Sequence, residues 1–230
     1  MSPDEFVSRL RRKTADHLAI VQDSELFRRF IDPGSDSVFV VEIVKNALLE
    51  TWSYGPHVTE ATFAAIGRFD KRRPDLMRRA TAHVLDEVNH GEIALADYCK
   101  WGGDQSWARQ RRMTPASFAM AATVRMIAAH ESPYAFLGYM YLLEALTPSL
   151  TATVQDVLAQ RGLIAKEHIF MAMHAKEDIT HERELAALID DVVTAFPNEA
   201  ESIEYAFDVF AAVYPLPIWD AILSLHGDGM

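Results

Sequence analysis

Two short runs carry the residues best suited to chemistry. His83, Glu87 and His90 fall in His83-Val84-Leu85-Asp86-Glu87-Val88-Asn89-His90, and His174, Asp178 and His181 fall in His174-Ala175-Lys176-Glu177-Asp178-Ile179-Thr180-His181. Both read as a histidine, a carboxylate four residues on and a histidine three beyond. Residues three, four and seven apart share one face of a helix, so each run predicts a row of imidazole, carboxylate and imidazole able to bind a metal. With 9 His and 33 Asp+Glu in 230 residues, chance gives one such triple in about one chain in twenty when matches are counted. Two in one chain call for another reason.

A solvated helix face would explain either run alone, because Asp and Glu are mostly exposed and an isolated histidine is commonly just hydrogen-bonded. The flanks argue otherwise. Val84, Leu85 and Val88 surround the first run, and Phe170, Met171, Met173 and Ile179 the second, so both helices are apolar elsewhere on their circumference. A charged row on a buried helix needs a partner, and a cation is the simplest one.

The rest of the chain must build the helices that carry these rows. At 230 residues and 50% hydrophobic content, it is long enough for one domain over residues 1–230 with a sizeable core. A net charge of -11 and a pI near 5.2 argue against nucleic acid or an anionic membrane as partner. The single Cys99 rules out an intramolecular disulfide and disfavours sulfur-ligated zinc or iron-sulfur sites. It suits a reducing compartment, and the start Ser2-Pro3-Asp4-Glu5 reads as a helix cap rather than a signal peptide, so the expected location is cytoplasmic. The longest apolar run noted, Ala116 to Ala129, is interrupted by Arg125 and falls short of a membrane span.

Capping and breaking residues divide the chain into helices. Ser2, Pro3 and Glu5 open the first, a short one covers Ser24 to Ile31, and Val38 to Trp52 carries Glu50 before Gly55-Pro56 marks a kink or boundary, with Glu60 beyond it. One long helix from Pro74 to Lys100 holds the first row. Further helices span Thr114 to His130, Tyr134 to Ala159 with a kink at Thr147-Pro148, and Ile164 to Ala195 with the second row; two more close the chain. No alternating strand pattern interrupts them, and the prediction is an all-α single-domain bundle.

Four helices then each offer ligands: Glu50 or Glu60; Glu87 and His90, with His83 as an additional ligand or a residue that orients Glu87; Glu144; and His174, Asp178 and His181. Glu144 sits in Tyr139-Met140-Tyr141-Leu142-Leu143-Glu144-Ala145-Leu146, where a charge needs coordination or hydrogen bonds. Mixed imidazole and carboxylate ligands suit iron or manganese, and a helical bundle is a recurrent host for two such ions. Arg125 is the candidate holder of a substrate carboxylate, against the plainer reading that it pairs with a structural acid.

The order of these ligands, the helical plan and the closing His174-x-x-x-Asp178-x-x-His181 resemble the haem-oxygenase-like di-iron oxidases and oxygenases. Leu10-Arg11-Arg12-Lys13-Thr14-Ala15-Asp16-His17 is similar to the first helix of haem oxygenases, and Leu137 to Leu150 to their distal helix. Where haem oxygenases have a glycine-rich segment, this chain has Glu144-Ala145-Leu146-Thr147-Pro148, whose bulk disfavours haem. The resemblance implies two ferrous, non-haem ions on Glu87, His90, Glu144, His174, Asp178 and His181, with Glu50 fitting the family's earlier ligand better than Glu60. It implies that Glu87, Glu144 and Asp178 take part in the chemistry. Dioxygen would be co-substrate for N-oxygenation, desaturation or cleavage and decarboxylation of a small amino-acid-like or carboxylate metabolite. No flavin or nicotinamide fingerprint is present, so electrons would come from the substrate or an external donor. Homodimerisation stays open. Three alternatives stand beside this reading: a ferritin-like four-helix bundle with Glu60 in the site, a haem- or iron-storing protein in which His17 matters, and a metal-free thiaminase-like hydrolase or cofactorless oxidase, which needs a catalytic Cys or Glu and for which Cys99, near a helix end outside the rows, is the available thiol.

Overall fold

A computed structural model describes residues 2–163 and 168–226, with the side chains of 175–178 outside that description. Helix α1 (Pro3–Gln22) starts on a complete capping box: the Ser2 hydroxyl accepts from Glu5 N, and the Glu5 carboxylate accepts from Ser2 N. These bonds satisfy backbone donors that a helix start leaves open. Its apolar stripe of Phe6, Val7 and Leu10 is buried. After α2 (Glu25–Ile31), Asp36 caps α3 (Ser37–Ile66), which continues unbroken through Gly55 and Pro56. Of the kink or boundary expected there, the boundary is absent. Gly55 lies where α3 meets Gly91, whose added Cβ would come within 3.7 Å of the Trp52 carbonyl oxygen and 3.8 Å of Pro56 Cδ. Close packing on the neighbouring helix thus holds the segment helical where local propensity would break it.

The helix expected from Pro74 to Lys100 is in fact two, α4 (Pro74–Glu87) and α5 (His90–Lys100), separated by a turn at Val88 and Asn89. Beyond the turn α5 lies against α3 at Gly91, and Glu87 and His90 on either side of the turn stay in contact. A short α6 (Gln105–Gln110), capped by Asp104, was not foreseen. Next come α7 (Pro115–His130) and α8 (Phe136–Gln160), the latter helical through Pro148. The chain closes with α9 (Phe170–Ala195), α10 (Glu199–Ala211) and α11 (Leu216–Ser224). Helix α8 is central: it packs on α9, α10, α1 and α7, while α3 packs on α5 and α7. Phe6, Leu10, Phe136, Tyr139, Phe207 and Phe210 are among its largest fully buried side chains, and they fill the space around α8.

The stretch 199–224 is long and apolar enough by composition to cross a membrane, which the sequence reading did not anticipate. It folds as the two helices α10 and α11, and Ile203, Ala206, Phe207 and Phe210 of α10 are buried in the bundle. The approach of α10 to α8 depends on Gly138. A Cβ there would lie 2.0 Å from the Ile203 carbonyl oxygen and 2.7 Å from Phe207 N. Both are backbone atoms that no rotamer change can move, so Gly138→Ala is expected to destabilise the protein by about 3 kcal/mol, the upper part of the overpacking range. Urea unfolding measures this, and a loss under about 1 kcal/mol would mean that α10 shifts freely.

Candidate metal centre

Three histidines and a carboxylate that would be costly alone in a core converge between α4, α8 and α9. His83, Glu144, His174 and His181 are all buried, and Glu87 and His90 are largely covered. They fall into two triads, His83 with Glu144 and His181, and Glu87 with His90 and His174, and within each triad the candidate ligand atoms lie within 4.8 Å of one another. Glu144 Oε1 is 3.5 Å from His83 Nε2, and its Oε2 is 3.4 Å from His181 Nδ1. Glu87 faces both triads: Oε2 is 2.6 Å from His90 Nδ1, and Oε1 is 3.2 Å from His181 Nδ1. Glu87 thus presents one carboxylate oxygen to a member of each triad.

Several of these atoms lack ordinary partners. Among the described residues, His83 Nδ1 and Nε2, Glu87 Oε1 and His181 Nδ1 are buried and accept or donate no hydrogen bond. The contacts of 3.2 to 3.5 Å are charge contacts without hydrogen-bond alignment. Buried polar atoms left in this way are uncommon and call for an explanation. Cations between the carboxylates and imidazoles would supply it, and the donor set of nitrogen and carboxylate oxygen suits iron or manganese.

Electrostatics is set by the same contacts. The Glu144 and Glu87 carboxylates beside His181 push its pKa up to about 11. Burial alone would push Glu87 up, but the imidazoles of His181 and His90 outweigh it and hold Glu87 below the usual carboxylate range. Glu144 behaves likewise: burial raises it, and His181 and His83 bring it below the usual value. Without a metal, then, a proton on imidazole balances the carboxylates. A cation would replace that proton. His174 differs, since burial lowers its pKa. Its Nδ1 donates to the Phe170 carbonyl at 2.8 Å, which fixes the neutral tautomer and leaves Nε2 for a metal.

That carbonyl is itself held in place. The buried Asp97 of α5 accepts from Phe170 N and from Lys100 Nζ, both at 2.8 Å, and so anchors the start of α9. Sequence reasoning missed Asp97; its one signal is an acid on a helix face with Ala94 and Leu95, as Glu144 is on α8.

The structure brings together Glu87, His90, Glu144, His174 and His181 of the expected ligands, and it adds His83 as a full member of a triad. Asp178 lies outside the described side chains. Glu50 is elsewhere. Its carboxylate accepts from Arg111 Nη2 at 2.5 Å, Thr114 Oγ1 at 2.9 Å and Ser117 Oγ at 2.5 Å, a buried hydrogen-bonded ion pair that joins α3 to the start of α7. Glu60 does not replace it, being exposed and paired with Arg125, which also contacts His57. Arg125 therefore holds a structural acid on the surface instead of facing the cavity. Such exposed pairs contribute about 1 kcal/mol or less. Arg125→Ala is expected to leave iron uptake unchanged and stability within about that margin. Lost iron uptake on substitution would return Arg125 to the site.

A cavity of about 160 Å³ opens beside the triads, lined by Glu87, His90, Glu144 and His174 together with Trp52, Tyr54 and Met140. Of the methionines, Met120 is instead core and Met126 exposed. His17, the residue a haem reading needs, has its Nε2 at 2.9 Å from the Tyr214 carbonyl oxygen and is engaged there.

The fold is shared with known structures. A domain of unknown function with a haem-oxygenase-like fold from Shewanella denitrificans superposes with a TM-score of 0.84 over 95% of this chain and 92% of its own, at 18% identity. A TenA homologue from Pseudomonas syringae gives 0.72 over 95% and 93% at 15% identity, and one from P. horikoshii 0.74 over 95% and 98% at 14%. The bundle is thus haem-oxygenase-like and not the ferritin-like alternative. No curated protein matches the sequence. Residues 53–214, well over half of the chain and holding all six residues of the two triads, do match a family pattern. The chain belongs to the family of iron-containing redox enzymes.

Proposed function

We propose that the two triads hold two non-haem iron ions and that the protein uses dioxygen to oxidise a small organic molecule in the adjoining cavity. The observation that carries this reading is Glu87, with one oxygen toward each triad. His83, Glu144 and His181 would hold one ion and Glu87, His90 and His174 the other, with Asp178 added from its spacing in the sequence. Bound in the ferrous state, the pair would supply electrons to dioxygen, with the balance drawn from substrate or an external donor. The chain's own groups prepare the site. Glu87 and Glu144 balance the ions, the Phe170 carbonyl sets the tautomer of His174, and the apolar cavity wall keeps bulk water away from the reacting centre.

Two other readings find less support. His17 is engaged by a backbone carbonyl, which removes the basis for haem ligation there. Cys99 lies outside the residues that line the cavity, so a metal-free hydrolase would have to work through a carboxylate, and the cavity's Glu87 and Glu144 are engaged with the histidines of the triads. Anaerobic loading with ferrous iron, followed by metal analysis and oxygen-uptake measurement, tests the proposal. The expected result is two irons per chain and oxygen consumption that requires them. A protein that takes up haem, or no iron at all, would overturn it.

A further inference from the structure

The cavity beside the triads has a definite chemical character. Its volume, about 160 Å³, is close to that of an engineered apolar cavity of about 150 Å³ that binds benzene. One side is formed by the candidate ligands, and the remaining wall is dominated by Trp52, Tyr54, Val84, Met140, Leu143 and Phe170.

The hydroxyls on the wall already have partners within the protein. Thr59 Oγ1 donates to the Gly55 carbonyl at 3.2 Å, Thr147 Oγ1 to the Leu143 carbonyl at 2.6 Å, and Thr62 Oγ1 to the Val58 carbonyl at 2.9 Å. Thr51 is bonded to the Tyr54 hydroxyl at 3.1 Å. Among the described residues no lysine or arginine lines the space. The nearby cations are committed elsewhere. At the mouth, Arg109 holds Glu92 at 2.6 Å while Glu92 accepts from the Trp52 indole at 3.2 Å. Arg111 is locked to Glu50, and Arg125 to Glu60. A charged substrate head entering this space would lose its hydration and meet no guanidinium or ammonium.

Resting on the reading that the triads hold iron, we infer that the substrate presents to the metals an uncharged, apolar group about the size of one aromatic ring, recognised by shape and burial instead of by a salt bridge. This departs from the carboxylate substrate that the sequence suggested. Iron at the triads would itself bring positive charge to one side of the cavity, so the test must separate a ring in the cavity from a carboxylate on iron.

Calorimetric titration of the metal-free and the iron-loaded protein with toluene, benzoate and benzylamine makes that separation. Toluene is expected to bind both forms, and benzoate at least tenfold more weakly than toluene to each. Leu143→Trp, which fills the cavity, is expected to weaken toluene at least tenfold while iron content stays at two per chain, and Met140→Ala, which enlarges it, to admit naphthalene. Absence of toluene binding, or benzoate or benzylamine binding within tenfold of toluene or tighter, would overturn the inference. Iron content is read separately, so loss of the metal reading would show as missing iron with toluene binding to the metal-free protein intact.

Discussion

Glu87→Ala is expected to reduce iron from two ions per chain to less than one and to bring oxygen consumption to background. Glu87 contacts His90 in its own triad and His181 in the other, and of the two side chains that meet between the triads it is the carboxylate. Removing Glu87 takes a ligand from beside His90 and also the charge that His181 faces with its second contact. Loss of a group that only orients a ligand already costs about 10–100-fold in metal affinity, and a shared ligand should cost more at each ion. His83→Ala is expected to behave differently, because His83 contacts Glu144 and His181 in one triad alone. It should lower the content from two ions toward one. Metal analysis after anaerobic loading distinguishes the variants, and circular dichroism checks that the helices persist. If Glu87→Ala keeps two irons, the carboxylate does not bridge, and the two triads are independent.

The convergence of the two rows was legible because helix periodicity converts spacing into a shared face. His174 and His181 are seven apart on one helix and reach different triads of the same centre, while Glu144 announced itself as an acid among apolar neighbours. The same logic pointed at Glu50, and it misled there. Burial of a carboxylate tells that a partner exists but not which one, and the partners of Glu50 lie 61 to 67 residues further along, with no local pattern to reveal them. The first row failed in a more instructive way. Read as one straight helix it left His83 without a clear role, whereas the structure interrupts that helix with a turn at Val88 and Asn89 and places His83 in one triad and His90 in the other. That turn follows from α5 packing on α3 at Gly91, a tertiary contact that periodicity within 74–100 cannot express. Apart from α6 and the division of the 74–100 helix, the helices, the all-α class and the cap at Ser2 required only local information, and they were foreseen.

Glu50 gives the sharpest contrast between a ligand and a structural carboxylate. Its side chain is 4% exposed, that of Arg111 11%, and the hydroxyls of Thr114 and Ser117 complete the set around the carboxylate. Removing one member of such a buried pair leaves an uncompensated charge, at a cost of about 3–5 kcal/mol. For a chain of this length each kcal/mol moves the midpoint by about 2–4 °C. Glu50→Ala should therefore lower the melting temperature by roughly 10 °C. At a temperature well below the transition it should still bind two irons per chain, because Glu50 contributes to neither triad. Glu50→Ala combined with Arg111→Met should recover much of the lost stability, since the charge left behind is then removed as well and apolar replacement of both partners is often neutral. A folded Glu50→Ala protein that binds one iron fewer, with unchanged stability, would return Glu50 to the metal centre. The expected pattern is the reverse, with a large loss of stability that the second substitution repairs and a metal content that neither substitution alters.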